Sequence, residues 1–237
     1  MQDSPRHRWD VTPEEAIEIQ QVLRSRVQLV NGFDPAQVHT IAGIDASYRD
    51  MARAAVVVLS FPELVVVDSA IAVRETPFPY VPGLLSFREA PAVLDAIEKL
   101  SVRPDLLVCD GQGIAHPRRL GIASHIGVYL DMPSIGCAKS RLTGTFKEPG
   151  PQQGDRSPLL SQGEVIGMVL RSKPRTNPLF ISPGHKIDVE TAVEFVVRCL
   201  RGYRLPEPTR AAHNLADTAS KGTMEEFQPD LPGFSRS

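Results

Sequence analysis

The chain has 237 residues, of which 42% are hydrophobic, and its formal net charge is −2. This charge balance argues against a strongly basic polyanion binder, and no stretch approaches the ~18 apolar residues that a membrane span needs. Three cysteines in apolar runs are an odd number and indicate buried free thiols rather than a disulfide framework. We expect a cytoplasmic protein in which residues 1–221 form one compact domain, although the length also allows two small ones.

The first part of the chain predicts one helix followed by three strands. Thr12 can cap a helix that begins at Pro13, Glu15 completes a capping box, and an apolar stripe continues to Val30. Asn31-Gly32 then ends this helix. Runs rich in Val, Ile and Ala, joined by short connections, predict an antiparallel three-stranded meander over residues 40–48, 54–61 and 64–73.

The middle of the chain predicts alternating strands and helices. A proline-rich segment at 76–83 precedes a helical pattern at 84–100, which Pro91 should start or kink. Residues 106–109 predict a short apolar strand, 120–130 a helix, and 134–138 another apolar strand. This order implies that the two strands pair in parallel through a right-handed crossover.

The last third of the chain predicts two more strands and two helices. Residues 147–158 form a polar loop rich in glycine and proline, and strands are expected at 164–171 and 179–182. Asp188 can cap a helix that runs to about residue 201, and Pro208 begins another that ends near residue 221. Residues 222–237 resemble a disordered tail.

These elements predict an α/β fold with a mixed central sheet flanked by helices. The sheet combines the antiparallel three-stranded meander with parallel strands from the strand–helix–strand unit. This order of elements matches the ribonuclease H-like architecture.

Two aspartates occupy unusual positions in the predicted strands. Asp45 lies in mid-strand among small and apolar residues, where an unpaired charge is costly to bury. Asp110 ends a wholly apolar strand and precedes Gly111, and ligands gather beyond the carboxyl ends of such strands. Asp45 therefore marks either a solvated edge strand or a metal site, and Asp110 either a loop cap or a ligand-binding residue.

Two further residues have no distinctive setting in the sequence alone. Glu89 lies on the helix at 84–100 and His213 on the helix that begins near Pro208, and both patterns are typical of ordinary helix residues. Two or three carboxylates at strand ends can hold Mg²⁺, a hard cation that prefers oxygen ligands. Such ions can activate a water and stabilise the leaving oxygen of a phosphodiester, but spacing alone does not show that these residues converge.

Seven short motifs are spread over most of the chain. They are GIDASY at 43–48, PYVPGLLSFRE at 79–89, VCDGQGIAHPR at 108–118, GIASHIG at 121–127, KSRL at 139–142, SPGH at 182–185 and TRAAH at 209–213. In sequence and in order these motifs resemble the endonuclease V family, and the resemblance covers about residues 10–220.

The resemblance implies a ribonuclease H-like fold, a requirement for Mg²⁺ or Mn²⁺, and DNA repair at deaminated bases. Family members nick DNA at the second phosphodiester on the 3′ side of deoxyinosine, some also cut inosine-containing RNA, and they commonly act as monomers. By motif, Asp45, Glu89 and Asp110 correspond to the metal-binding carboxylates. His213 corresponds to the helix histidine that assists near the metal, and Lys139 to a lysine near the scissile phosphate.

The same resemblance assigns the surroundings of a flipped base. Pro79, Tyr80, Val81 and Pro82 correspond to the family's wedge, a proline-stiffened turn whose tyrosine ring fills the gap left by an extruded base. Backbone groups at glycines of the pocket can read the edge of hypoxanthine, and a donor N–H there would reject adenine. The residues implied to line this base pocket are Gly83, Leu85, Gly111, Gly121, Ile122 and Leu142.

Three other functions remain open for this sequence. An endoribonuclease for inosine in single-stranded RNA would keep the fold and change the substrate. A catalytically silent binder of damaged DNA would need a lost carboxylate, and Asp45, Glu89 and Asp110 are all present. A phosphotransferase with the DGQG turn at 110–113 near a nucleotide phosphate has no Walker-type lysine loop to support it.

Overall fold

The computed structural model describes residues 6–48 and 50–220. The strands in this part of the chain are β1 (Thr40–Tyr48), β2 (Ala52–Ser60), β3 (Val66–Arg74), β4 (Leu106–Cys109), β5 (Ser134–Ala138), β6 (Arg156–Ser161), β7 (Glu164–Leu170) and β8 (Leu179–His185). The α-helices are α1 (Pro13–Arg24), α2 (Leu85–Glu98), α3 (Ile122–Leu130), α4 (Val189–Arg198) and α5 (Glu207–Ser220).

All the described strands belong to one mixed sheet in the order β3-β2-β1-β4-β5-β8-β7-β6. The antiparallel meander β1–β3 forms one side, and β1, β4 and β5 run parallel to one another. The remaining strands β8, β7 and β6 pair antiparallel in turn. The predicted α/β fold, with a mixed sheet flanked by helices, is confirmed.

The helix starts follow from local capping. In α1 the Thr12 hydroxyl accepts from the Glu15 N–H, and the Glu15 carboxylate accepts from the Thr12 N–H at 2.8 Å, which completes the predicted capping box. In α4 the Asp188 carboxylate accepts from the Thr191 N–H at 2.7 Å, as a capping aspartate does.

The core lies on both faces of the sheet because alternate residues of each strand point to opposite sides. One apolar cluster joins Ala42, Ile44 and Leu107 to helices α2 and α3. A second joins Ile41 and Leu106 to α4, and a third packs α5 against β2. The central strands β1 and β4 are therefore covered on both sides, and their polar residues stand out.

Three predicted elements differ from the structure. Helix α1 ends at Arg24, well before residue 31, because the Ser25 hydroxyl donates to the Val22 carbonyl at 2.7 Å. Helix α2 lies within the predicted 84–100, but Pro91 is inside the helix and does not start it. The predicted loop at 147–158 overlaps β6, an edge strand that tolerates Pro158 because its outer side needs no N–H donor.

The predicted disordered tail at 222–237 lies outside the described residues. Within the part of the chain that is described, no helix has both the length and the apolar character of a membrane span.

Candidate active site

Asp45 and Asp110 lie side by side at the centre of the sheet. Strands β1 and β4 pair in parallel with Ile44 opposite Cys109, and the Asp110 N–H donates to the Ile44 carbonyl at 2.8 Å. Both carboxyl groups lie at the carboxyl end of β4, and the Asp45 side chain is within hydrogen-bonding reach of Asp110. The strand register thus brings together two acids that are far apart in the chain.

Glu89 supplies a third carboxyl from the first turns of α2. Its side chain is buried, and burial, followed by the charge of Asp45, raises its pKa to about 8. The charge of Asp110 raises the pKa further, while Arg88 opposes the shift. Burial and the neighbouring Asp45 likewise raise the pKa of Asp110, against the lowering effect of Lys139. The three acids therefore share one electrostatic environment.

Two basic side chains contact these acids. The Lys139 ammonium lies 2.5 Å from the Asp110 carboxylate, and His213 Nδ1 lies 3.0 Å from Asp45 Oδ2. Since a carboxylate only accepts, His213 donates through Nδ1, and in the neutral ring Nε2 is left as an acceptor. Lys139 and His213 thus each contact one of the two aspartates, and Glu89 lies within electrostatic reach of both acids.

The approach of α5 to β1 depends on Gly43. A Cβ at this position would lie 1.8 Å from the Pro208 carbonyl oxygen, so no other residue allows the start of α5 to rest on the strand. This close approach is what brings His213, on the second turn of α5, to Asp45.

The donor set fits a hard divalent cation. In the described residues no three His, Cys, Asp or Glu side chains are grouped closely enough to hold a metal ion. Asp110 pairs instead with Lys139, and Asp45 with His213. Three buried carboxyls that raise one another's pKa are nevertheless an arrangement that a dication offsets, and their oxygens are the ligands Mg²⁺ prefers. Asp45, Glu89 and Asp110 are the residues able to hold it.

A cavity of about 160 Å³ is lined partly by residues of α2 and of the segment after β4, the parts of the chain that also carry Glu89 and Asp110. An engineered protein cavity of roughly 150 Å³ admits one benzene molecule, so this space suits a flat ring. Two of the residues predicted for the wedge and pocket do not line it: Pro79 lies outside, and Gly111 lies behind Ile122, whose methyl would meet a Cβ there at 2.6 Å. The residues predicted for the base pocket that do line it are Gly83, Leu85, Gly121, Ile122 and Leu142, and Tyr80, Val81 and Pro82 of the predicted wedge line it as well.

In the predicted wedge the tyrosine ring is exposed, whereas the backbone that follows it is hydrogen-bonded. The Tyr80 ring is 70% exposed, whereas Val81 and Leu84 are tied by a backbone hydrogen bond at 3.0 Å. The Arg88 guanidinium lies over the Tyr48 ring at 3.3 Å and 5.8 Å from the Tyr80 ring, which links the wedge to the end of β1.

The cavity also has a polar support that the sequence did not reveal. The Gly83 carbonyl accepts from Gln20 Nε2 at 3.0 Å, from Arg118 Nη2 at 2.7 Å and from His116 Nε2 at 3.0 Å. Gln20 is buried on α1, and a buried glutamine on an apolar helix face is the one sequence signal that could have identified it. These donors fix the orientation of the Gly83 peptide at the cavity wall.

Acids that share one environment near the carboxyl end of β4, in a ribonuclease H-like sheet, are typical of nucleases that cut nucleic-acid backbones with metal ions. The sequence model of a family described as Endonuclease V matches residues 21–214. The chain belongs to the endonuclease V family, as its motifs predicted.

Relatives and solved structures agree with this membership. The chain is 54% identical over 209 residues to an endonuclease V of Roseiflexus sp., which covers 88% of this chain and 93% of the relative. The crystal structure of endonuclease V from Streptomyces avermitilis is similar, with a TM-score of 0.85 and 44% identity over 90% of this chain and 95% of that one. The Ciona intestinalis enzyme, solved with a 23mer DNA containing an inosine followed by a ribo-adenosine, gives a TM-score of 0.78 at 29% identity, covering 89% of this chain and 99% of that one.

Proposed function

We propose that this protein is a DNA-repair endonuclease that hydrolyses the second phosphodiester bond on the 3′ side of deoxyinosine and related deaminated bases. It acts as a monomer in the cytoplasm and leaves 3′-hydroxyl and 5′-phosphate ends. The observation that carries the proposal is the shared electrostatic environment of Asp45, Glu89 and Asp110, with Glu89 and Asp110 on parts of the chain that also line a cavity with an exposed tyrosine. Damaged double-stranded or single-stranded DNA is the expected partner.

The inosine-containing DNA bound by the Ciona relative supports this choice of substrate. A base inside a duplex is out of reach of a cavity in the protein, so the lesion must be extruded. Tyr80 is free to enter the gap that the lesion leaves, and weak pairing of hypoxanthine lowers the cost of extrusion.

The cavity wall reads the extruded base through backbone groups. Gly83 presents its peptide without a side chain in the way, and Gln20, His116 and Arg118 keep this peptide from turning. A donor N–H facing the base pairs with the oxygen of hypoxanthine and is left unpaired by adenine, which costs ~1–3 kcal/mol.

Hydrolysis uses the residues that surround the acids. When Mg²⁺, or Mn²⁺ in its place, is held by Asp45, Glu89 and Asp110, it supplies Lewis acidity for activating water and for the leaving oxygen. Lys139 offsets the negative charge on the phosphate. His213, with Nδ1 occupied by Asp45, orients the attacking water through Nε2 and accepts its proton.

A nicking assay tests the proposal. A duplex with one deoxyinosine and a 5′ label is incubated with Mg²⁺, with Mn²⁺ and with a chelator, and the same duplex with deoxyadenosine is the control. We expect one product, cut at the second phosphodiester 3′ to the lesion, with either metal and none with the chelator. Equal cutting of both duplexes, or no cutting with metal, would contradict the proposal.

A second candidate function has the same chemistry but takes RNA instead of DNA as its substrate. The Ciona relative was solved with a ribo-adenosine directly after the inosine, which favours an endoribonuclease for inosine-containing RNA as the alternative. Competition between inosine DNA and inosine RNA of the same sequence separates the two functions. A cutting rate on single-stranded RNA above that on DNA would establish the alternative.

A further inference from the structure

Lys139 lies just beyond the end of strand β5, where pairing with the neighbouring strand has ended. The last residue pair between β5 and β8 is Ala138 with Phe180, and Lys139 is the next residue along. Its side chain reaches the Asp110 carboxylate at 2.5 Å, yet its backbone lies beyond the ladder. Something other than strand pairing must fix this peptide if the ammonium is to keep its place.

Arg204 supplies that contact from the segment between α4 and α5. Its Nη2 donates to the Lys139 carbonyl at 2.7 Å and to the Pro178 carbonyl at 3.3 Å, and its Nε donates to the Asn177 carbonyl at 2.9 Å. The guanidinium thus joins the end of β5 to the residues that lead into β8. The planar guanidinium carries several N–H donors and can bind these carbonyls together, whereas the ammonium of a lysine is a compact charge at one position.

Arg204 is itself held in place. The hydroxyl of Ser172, a fully buried residue, donates to the Arg204 carbonyl at 2.6 Å. On the other side of the same segment, Gln112 Nε2 donates to the Ser140 carbonyl at 2.8 Å. Two successive carbonyls, those of Lys139 and Ser140, are therefore each fixed by a side chain from a different part of the fold.

We propose that Arg204 is a positioning residue for Lys139, which it keeps directed at Asp110 and at the phosphate being cut. Arg204 acts through the Lys139 backbone and not by touching the substrate. The inference rests on the proposed function, because it assumes the role assigned there to Lys139.

A double-mutant cycle tests the inference. Single-turnover cutting of the deoxyinosine duplex is measured for the parent, Arg204→Gln, Lys139→Met and the double variant, with duplex affinity measured separately. Misplacement by about 1 Å can cost ~100-fold in rate, so we expect Arg204→Gln to lower the rate by about 10- to 100-fold with affinity within about twofold. In the Lys139→Met background the same change should lower the rate less than about twofold.

Arg201 provides a matched control. It also donates to carbonyls, those of Arg198, Leu200 and Pro62, and lies three residues before Arg204. None of these hydrogen bonds involves Lys139. Arg201→Gln should leave the cutting rate near that of the parent. Arg204→Lys, which can reach only one carbonyl at a time, should give a rate between those of the parent and Arg204→Gln.

Amide hydrogen exchange supplies a readout that does not require activity. Exchange at residues 139–142 should become at least about tenfold faster in Arg204→Gln and stay unchanged in Arg201→Gln. Unchanged exchange, or equal losses of rate with and without Lys139, overturns the inference. Failure of the parent to cut, together with the expected change in exchange, would count against the proposed function and leave the positioning role of Arg204 supported.

Discussion

Glu89 combines deep burial with a crowded electrostatic setting. Its side chain is 8% exposed, and the charges of Asp45 and Asp110 act on it together with burial to raise its pKa to about 8. A side chain kept in such a position costs the metal-free protein stability. Sites that are strained in this way are commonly retained because function requires them.

We expect Glu89→Gln to remove activity and to raise stability. Without metal, a neutral amide in place of the crowded carboxyl should increase the free energy of unfolding by about 1–3 kcal/mol. Cutting of deoxyinosine DNA should fall by at least about 100-fold because a metal ligand is lost. Chemical denaturation with a chelator present and single-turnover kinetics with Mg²⁺ measure the two effects.

Glu98→Gln is the matched control, since Glu98 is an exposed glutamate on the same helix. It should change neither quantity measurably. A Glu89→Gln protein that cuts at the parental rate would remove Glu89 from the catalytic set.

The exposed side chain of Tyr80 should matter for DNA binding but not for the stability of the fold. Its ring is 70% exposed, so Tyr80→Ala should leave the free energy of unfolding within about 0.5 kcal/mol of the parent. Stacking on a base is worth ~1–3 kcal/mol, so affinity for the inosine duplex should fall by about 5- to 100-fold. Fluorescence anisotropy with a labelled duplex and Ca²⁺ measures this affinity.

Tyr80→Phe retains the ring and should bind inosine DNA like the parent. If Tyr80→Ala bound as tightly as Tyr80→Phe, the segment at 79–82 would not act as a wedge.

Among the secondary-structure elements, the contact of α5 with β1 has the clearest consequence for the site. The contact depends on the missing side chain of Gly43, which lets the Pro208 carbonyl approach the strand. His213 reaches Asp45 only because the helix starts there, although the two residues are 168 positions apart in the chain. The position of one catalytic side chain is thus set by a backbone contact elsewhere.

We expect Gly43→Ala to move α5 and to separate His213 from Asp45. Overpacking at such a contact costs about 1–3 kcal/mol of unfolding free energy, which thermal or urea denaturation measures. The cutting rate should fall by at least about tenfold, as when a positioned proton-transfer group is lost. Adding His213→Gln should then lower the rate little further, whereas additive losses would mean that Gly43 acts by another route.

For the whole molecule, buried histidines predict sensitivity to acid. Burial lowers the pKa of His116 to about 4 and also lowers the pKa values of His7, His125 and His185. In His116 the ring donates from Nε2 to the Gly83 carbonyl and accepts the Arg118 N–H at Nδ1, so only the neutral form fits both partners.

The direction of the pH effect follows from these partners. Below the ordinary histidine pKa of about 6.5 the unfolded chain binds a proton at His116, and the folded protein does so only near pH 4. Stability therefore falls as the pH decreases from about 6.5 towards 4. The contribution of His116 is on the order of 3 kcal/mol at the acid end of this range.

We expect His116→Gln to flatten this dependence. Urea midpoints measured at several values between pH 7.5 and 4.5 should fall less steeply for the variant than for the parent, because Gln does not titrate. The comparison cancels contributions of the other groups, including Glu89. Parallel curves would mean that His116 titrates normally in the folded protein.

Much of the fold could be predicted because its signals are local. The boundaries of β1, β4 and β5 agree with the predicted strands, and the caps at Thr12 and Asp188 form as expected. Strand β6 was missed because an edge strand with one buried face carries a weak apolar pattern, and its Pro158 is typical of loops. The early end of α1 was missed because Val27 stays in apolar contact without being helical.

The site was only partly visible in the sequence. Asp45 and Asp110 stood out because a charged residue is conspicuous in the apolar pattern of a core strand. Glu89 and His213 lie on helices, where acids and histidines are common. Their roles came from the family motifs and stay predictions. Gln20 was signalled only by its place on an apolar helix face, and nothing in the sequence indicated Arg204; both donate to backbone carbonyls from distant segments.

The sequence by itself determined most of the order of elements, the family, and the acids around which a nuclease site could form. These depend on side-chain patterns over a few turns or strands, and on short motifs. Only the tertiary structure decided that Glu89 lies within electrostatic reach of Asp45 and Asp110, that Gly83 is held by three donors, and that Arg204 contacts the backbone of Lys139. Such contacts join residues from separate elements, and packing of the whole chain, not any local pattern, sets the distances between them.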